Sequence, residues 1–169
     1  MKRYLQKAIA FSGPSNSGKT TLIEKITNVL IKDYKILIIK HDPKDKAVFD
    51  TKGKDSYKFF QTGADTIVLS PTRTTIFSHQ PTPVEEIIKK YEFDFLFVEG
   101  LKEINLPRIS VFRQKIQKDY LAFSNAIAID NSIDISFYQS ILPKNIEILN
   151  LNDINQIIKW IKINAKETK

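Results

Sequence analysis

The 169-residue chain contains no cysteine and only two histidines, His41 and His79, which stand far apart. A disulfide framework is therefore excluded, and the soft or imidazole ligand set of a metallochaperone-type GTPase is disfavoured. No apolar stretch approaches the ~20 residues that a membrane span needs. Near the start, Gln6 and Lys7 interrupt the apolar run before a signal-peptide core forms. Internal repeats and low-complexity tracts are lacking as well. These absences lead us to expect a soluble cytoplasmic protein in which residues 1–169 make a single domain. A chain of this length buries roughly two-thirds of its unfolded surface in one core without a covalent or metal staple.

What is present in excess is positive charge: 26 Lys and Arg against 19 Asp and Glu, a formal net charge of +7. A basic surface attracts phosphate backbones. The lysines are nevertheless spread along the chain, apart from one concentration at Lys40, Lys44, Lys46, Lys52, Lys54 and Lys58. A small anionic substrate accounts for that cluster at least as well as nucleic acid does, and nucleic acid is not the expected partner.

The informative stretch is Gly13-Pro14-Ser15-Asn16-Ser17-Gly18-Lys19-Thr20, which meets the phosphate-loop (Walker A) pattern Gly-x-x-x-x-Gly-Lys-Ser/Thr at each fixed position. Glycines are required where backbone approaches phosphate closely, so that successive N–H groups and the positive end of the following helix meet the anion. The flanks supply the context: Ala8–Phe11 reads as a strand, and Thr21 to Ile26 opens a helix. Gly13, Ser15, Asn16, Ser17, Gly18, Lys19, Thr20 and Thr21 are the candidate nucleotide-binding residues. Lys19 would reach the β- and γ-phosphates, and the Thr20 hydroxyl would ligate the magnesium ion bridging them.

A strand to residue 12 and a helix over 18–32 are followed by the apolar run Ile36–Ile39, of the kind seen in a central parallel strand covered on both faces. This alternation predicts an α/β, mostly parallel, doubly wound P-loop sheet with its ligand at the C-terminal strand ends. Asp42 stands at such an end, a candidate for holding magnesium or positioning water, with an Asx-type turn before Pro43 as the alternative. Polar sequence then runs to Gly53-Lys54-Asp55-Ser56, a long connection that could order around the γ-phosphate. A helix opening at Asp55 or Ser56 would end at Gly63. Thr66–Ser70 and Thr74–Ser78, joined by Pro71-Thr72-Arg73, read as an antiparallel hairpin, whose free edge predicts a homodimer through an arm at 66–78. Phe95–Val98 is a buried strand ending in Glu99, a second candidate for magnesium or catalytic-water contact. Lys102 and Arg108 lie just beyond, facing the same cleft or the surface. Strands are expected at Ile109–Arg113, Ala126–Ile129 and Ile146–Leu149. In the closing helix Ile154, Ile157, Ile158 and Ile161 share one face, Trp160 is packing, and residues after Ala165 are expected to fray.

Taken together these motifs resemble the molybdopterin-guanine dinucleotide biosynthesis adapter family, MobB. The resemblance rests on Gly13 to Leu22, Ile39-Lys40-His41, Gly53–Ser56 with Gly63-Ala64, Val98–Lys102, Val111-Phe112-Arg113 and Leu151-Asn152-Asp153, in order over nearly the whole chain. It departs from that pattern where Asp42-Pro43-Lys44 replaces further histidines and where Leu101 replaces a common Phe. The resemblance implies a magnesium-dependent GTP-binding protein of slow hydrolysis. It further implies a homodimer that assists the molybdenum cofactor guanylyltransferase attaching GMP to molybdopterin. At its motif positions Lys40, His41, Lys54, Asp55, Lys102 and Arg113 become candidates for contact with an anionic substrate or partner, molybdopterin included. Guanine is implied by the resemblance alone, since the Asn/Thr-Lys-x-Asp motif is absent. A P-loop small-molecule kinase or ligase-type enzyme using ATP is the alternative.

Overall fold

The computed structural model describes residues 4–168. Its elements in chain order are β1 (Lys7–Ser12), α1 (Lys19–Leu30), β2 (Ile36–Lys40), α2 (Asp55–Gln61), β3 (Thr66–Leu69), β4 (Thr74–Phe77) and α3 (Val84–Lys90). After these come β5 (Phe95–Glu99), β6 (Arg108–Phe112), β7 (Ala126–Ile129), β8 (Glu147–Asn150), α4 (Ile154–Asn164) and β9 (Lys166–Glu167), with short 3₁₀ helices at Lys118–Phe123 and Ile135–Tyr138. They fall into two units. One takes the described residues up to His41 and from Glu92 onward; the other is Asp42–Tyr91. Among the described residues no helix is long and apolar enough to cross a membrane.

The first unit is a sheet in the order β2-β5-β1-β6-β7-β8, all neighbours parallel. Side chains alternate across it with period two. Ile9, Phe11, Phe95, Phe97, Ile109 and Val111 face the apolar sides of α1 and α4, where Leu22, Ile23, Ile26, Ile157, Trp160 and Ile161 close the main core. On the opposite face Phe112, Ile127 and Ile129 are covered by Ile116, Leu121 and Ile133 from the 3₁₀ segments and their flanks. Trp160 packs in the main core as expected and donates from Nε1 to Glu147 at 2.7 Å.

Three expectations are corrected here. The first concerns β2, which among the described residues pairs only with β5 and is an edge strand, Ile38 being 45% exposed; an apolar run by itself does not separate an edge from a centre. Secondly, Lys166 and Glu167 do not fray but pair antiparallel with the start of β1, and Thr168 donates to the Gln6 carbonyl, so the end of α4 is returned to the sheet; Lys169 lies outside the described residues. The third is Arg108, which faces neither cleft nor surface. It is 1% exposed and donates to the carbonyls of Leu101, Lys102 and Ile104, with the Phe123 ring 5.2 Å away. One buried guanidinium thus fastens the loop that follows β5 through a single nitrogen, Nη2, which satisfies carbonyls that would otherwise be stranded, while Nη1 is buried without a partner.

The second unit carries α2, the β3–β4 hairpin and α3. Thr66 pairs with Phe77 and Leu69 with Thr74, and the Ser70 amide donates to the Arg73 carbonyl to close the turn. Phe60 of α2 stacks on His79 at 3.9 Å, and His79 Nε2 lies 2.9 Å from the Phe60 carbonyl. His79 is part of how this unit packs. The mostly parallel sheet and the antiparallel hairpin are as the pattern of the sequence required.

Candidate functional site

The loop between β1 and α1 stands at the C-terminal end of β1, between β5 on one side and β6 on the other. Its backbone can follow this course only with glycine at two points. Gly13 has φ of 134°, and a Cβ there would lie 2.3 Å from the Val111 carbonyl oxygen. Gly18 has φ of 94° and caps α1, exposing that helix's first N–H groups. Between them Ser15 and Asn16 form an exposed tip, Asn16 also at positive φ, while Ser17 is buried. Thr21 is exposed on the first turn of α1.

Lys19 folds its ammonium into the middle of this loop, donating to the Gly13 carbonyl at 3.0 Å and the Pro14 carbonyl at 2.7 Å. Burial lowers its pKa from the usual lysine value; Glu99 opposes the shift and Lys40 adds to it. A partly desolvated cation ringed by amides is a strong anion site, because little water has to be stripped from it. On the β5 side the Thr20 hydroxyl donates to Glu99 Oε1 at 3.1 Å. Two hard oxygens meeting at the mouth of a phosphate loop fit Mg²⁺, which takes one or two protein oxygens and fills its shell with phosphate and water. Among the described residues no three His, Cys, Asp or Glu gather as a self-sufficient metal site, so such an ion would depend on phosphate oxygens.

The other candidates are distributed as follows. Lys40 is the register partner of Glu99, and the His41 amide donates to the Glu99 carbonyl, so the end of β2 borders this side of the loop. Lys102 holds its ammonium 4.6 Å from the Tyr120 ring. Asp42 belongs to the second unit and accepts from the amides of Lys46 and Ala47 at 2.7 and 2.6 Å, and from Lys44 at 3.3 Å, which is an Asx-type turn. Lys54 and Asp55 open α2 in the same unit, Asp55 paired with Lys58 at 3.4 Å.

Arg113, which the resemblance groups with Lys40, His41, Lys54, Asp55 and Lys102, directly follows β6. Its guanidinium lies 3.5 Å from where a Gly18 Cβ would stand, and its Nε is 3.2 Å from Asp130 Oδ2. Asp130 carries no signal in the sequence reading, although it directly follows β7 much as Glu99 closes β5, and the same strand-end rule points to it. A line of hydroxyls, buried at Ser12 and Ser110 and half-buried at Ser124, has no sequence signal either. Ser124 donates to the Tyr120 carbonyl, Ser110 and Ser124 are 2.6 Å apart, and Ser12 and Ser110 are 2.7 Å apart, which ties the strand entering the loop to the 3₁₀ segment.

With this geometry in view, comparison with known proteins gives a consistent picture. The family model described as Molybdopterin guanine dinucleotide synthesis protein B, MobB, matches residues 8–131. A relative from Methanocaldococcus jannaschii is 32% identical over 160 residues, 86% of this chain and 65% of that protein. The molybdopterin-guanine dinucleotide biosynthesis adapter protein of Haemophilus influenzae is 33% identical over 117 residues, 65% of each chain. The chain thus spans 65% of the length of both relatives. The crystal structure of Bacillus subtilis MobB superposes with a TM-score of 0.72 at 22% identity, covering 95% of this chain and 98% of that one, and this likeness shows the fold.

The two glycines make different demands. Gly13→Ala should destabilise the protein by about 3 kcal/mol, since strain at positive φ is joined by collision with a backbone carbonyl. Gly18→Ala meets only the far end of Arg113 and should cost about 1 kcal/mol, the strain alone. Denaturant unfolding of both variants checks this, and equal costs would contradict it.

Proposed function

Since the chain belongs to the MobB family of molybdopterin guanine dinucleotide synthesis proteins, we propose that it is a cytoplasmic, magnesium-dependent GTP-binding adapter. Its partner on this reading is the guanylyltransferase that attaches GMP to molybdopterin. The observation that carries the nucleotide part is the Lys19 ammonium held at the centre of the Gly13–Thr20 loop with the Thr20–Glu99 pair beside it.

In this reading the loop amides and Lys19 bind the β- and γ-phosphates. Thr20 and Glu99 would hold a magnesium ion there, whose charge would offset that of the phosphates. Lys40 raises the positive potential on the same side. We expect slow hydrolysis: a Glu99 carboxylate committed to the cation is poorly placed to activate water as well. Asp42 acts through the turn that it caps, shaping the connection after β2.

Calorimetric titration with Mg·GTP and Mg·ATP is the test. GTP should bind the more tightly, and a clear preference for ATP would remove the guanine assignment. Lys19→Ala should weaken GTP at least about 100-fold, or about 2.7 kcal/mol, with the fold intact by circular dichroism. Bound phosphate raises the lysine pKa back towards its usual value, so binding takes up protons on the alkaline side. Affinity should accordingly begin to fall at a lower pH than an ordinary lysine would give.

The homodimer belongs to the same proposal. Ile67, Leu69 and Ile76 of the hairpin are 60%, 76% and 50% exposed, and Phe59 of α2 is 60% exposed. An apolar two-stranded ribbon with open edges pairs readily with a copy of itself. Light scattering at micromolar concentration should give twice the chain mass, falling to the monomer in the variant Ile67→Glu with Leu69→Glu; a wild-type monomer would contradict it.

A further inference from the structure

On the side away from β5 the sheet ends at β8, which among the described residues pairs only with β7. In a parallel pair the backbone groups of alternate residues face the neighbouring strand, and those between them face away. The Glu147 amide donates to the Asn125 carbonyl and the Leu151 amide to the Ile129 carbonyl, so the backbone of Ile148 and Asn150 faces outward. Gln156 Oε1 accepts from the Asn150 amide at 2.8 Å, whereas the amide and carbonyl of Ile148 have no partner among the described residues. The Ile148 side chain is 46% exposed. Two usual guards of a free edge are missing as well, since Glu147–Asn150 contains neither lysine nor proline.

Beside this edge, between β8 and α4, runs a groove of about 280 Å³ in which Leu149 and Trp160 supply buried apolar surface and Ile163 is 70% exposed. Trp160 is fixed there because its Nε1 donates to Glu147 Oε1, which also engages that carboxylate. Lys159 in the groove and Lys144 just before β8 are exposed and enter no ion pair among the described residues. The charge left without a partner at this edge is therefore positive.

An unpaired amide and carbonyl next to an apolar groove suit an extended chain, whose backbone continues the ladder while every second side chain enters the groove. A second copy of this protein is the poorer occupant. Pairing β8 with itself would join only four residues a side and bring the same unpaired lysines to one interface.

We propose that β8 accepts an extended acidic segment of a partner protein as an added strand. That segment bonds to the Ile148 backbone, seats an apolar side chain against Leu149, Trp160 and Ile163, and pairs its carboxylates with Lys144 and Lys159. No nucleotide enters this contact, so it stands or falls apart from the phosphate-loop reading.

The probe is the fluorescein-labelled peptide acetyl-Ser-Val-Glu-Ile-Glu-Val-Ser-amide, titrated into the full chain without nucleotide and followed by fluorescence anisotropy. It should bind with a micromolar dissociation constant and slow solvent exchange of the Ile148 amide. Two further peptides carry N-methyl groups on the Val and Ile nitrogens or on the Glu nitrogens. One of them should bind at least about tenfold more weakly and the other nearly as well as the parent, because a strand presents its amides to alternate sides. Ile148→Pro removes the outward amide and spares the β7 ladder, and should weaken the parent peptide about tenfold. Lys159→Glu should weaken it about threefold. Thermal melts check that both variants fold, and the N-methylated pair tests the wild-type chain should Ile148→Pro not fold. No binding by the wild-type chain, equal losses from the two N-methylated peptides, or unchanged affinity in folded Ile148→Pro overturns the proposal. Self-association by light scattering that Ile148→Pro abolishes would assign the edge to a second copy and overturn it likewise.

Discussion

The approach of the Gly13 backbone to the carbonyl of Val111 governs the rest of the molecule, because no side chain fits between them and the chain can turn from β1 into α1 only there. That contact seats the loop directly on β6 and leaves the first amides of α1 facing out of the sheet. Strand order then decides what surrounds them. With β5 on one flank and β6 on the other, the C-terminal residues of those strands become the loop's two neighbours. Glu99 and Arg113 have opposite charges and stand on opposite sides, so the loop carries a carboxylate on one flank and a guanidinium on the other. The asymmetry is a consequence of parallel topology, which delivers every strand's C-terminal end to the same edge.

Burial gives these charges their force. Lys19 is stripped of part of its water and held by backbone carbonyls, an arrangement that a phosphate group can replace at small cost in reorganisation. Arg113 remains half exposed but is fixed by a carboxylate that Ser132 in turn fixes. Arg108, farther down β6, is deeply buried and serves the fold: its three carbonyl bonds hold the loop after Glu99. Along one strand, then, two arginines differ in role because one points into the sheet's covered face and the other stands at the strand's end.

Much of this was legible in the amino-acid order. The phosphate loop shows because its glycines answer a local backbone demand, and Glu99 shows because an acid closes an apolar run. Thr66–Leu69 and Thr74–Phe77 announce a hairpin through β-branched runs about a short turn. What stayed hidden depends on partners distant in sequence. Ile36–Ile39 looks central but is an edge, since only strand order decides which runs have two neighbours. Lys166 and Glu167 look like a loose end until β1 offers them a place. Nothing near Arg108 reveals that three carbonyls await it, and Asp130 gains its meaning from an arginine 17 positions earlier. The 3₁₀ cover of the second face has no periodicity to betray it.

The claim on which the account stands is that the backbone amides of residues 13–20 cradle a nucleotide's terminal phosphates. Amide NMR spectra recorded while Mg·GTP is titrated in test this most directly. Resonances of Gly13 to Thr20 should shift in saturable fashion and their exchange with solvent should slow, with smaller changes across the hairpin. Amides of this loop left unmoved at saturating nucleotide would contradict it.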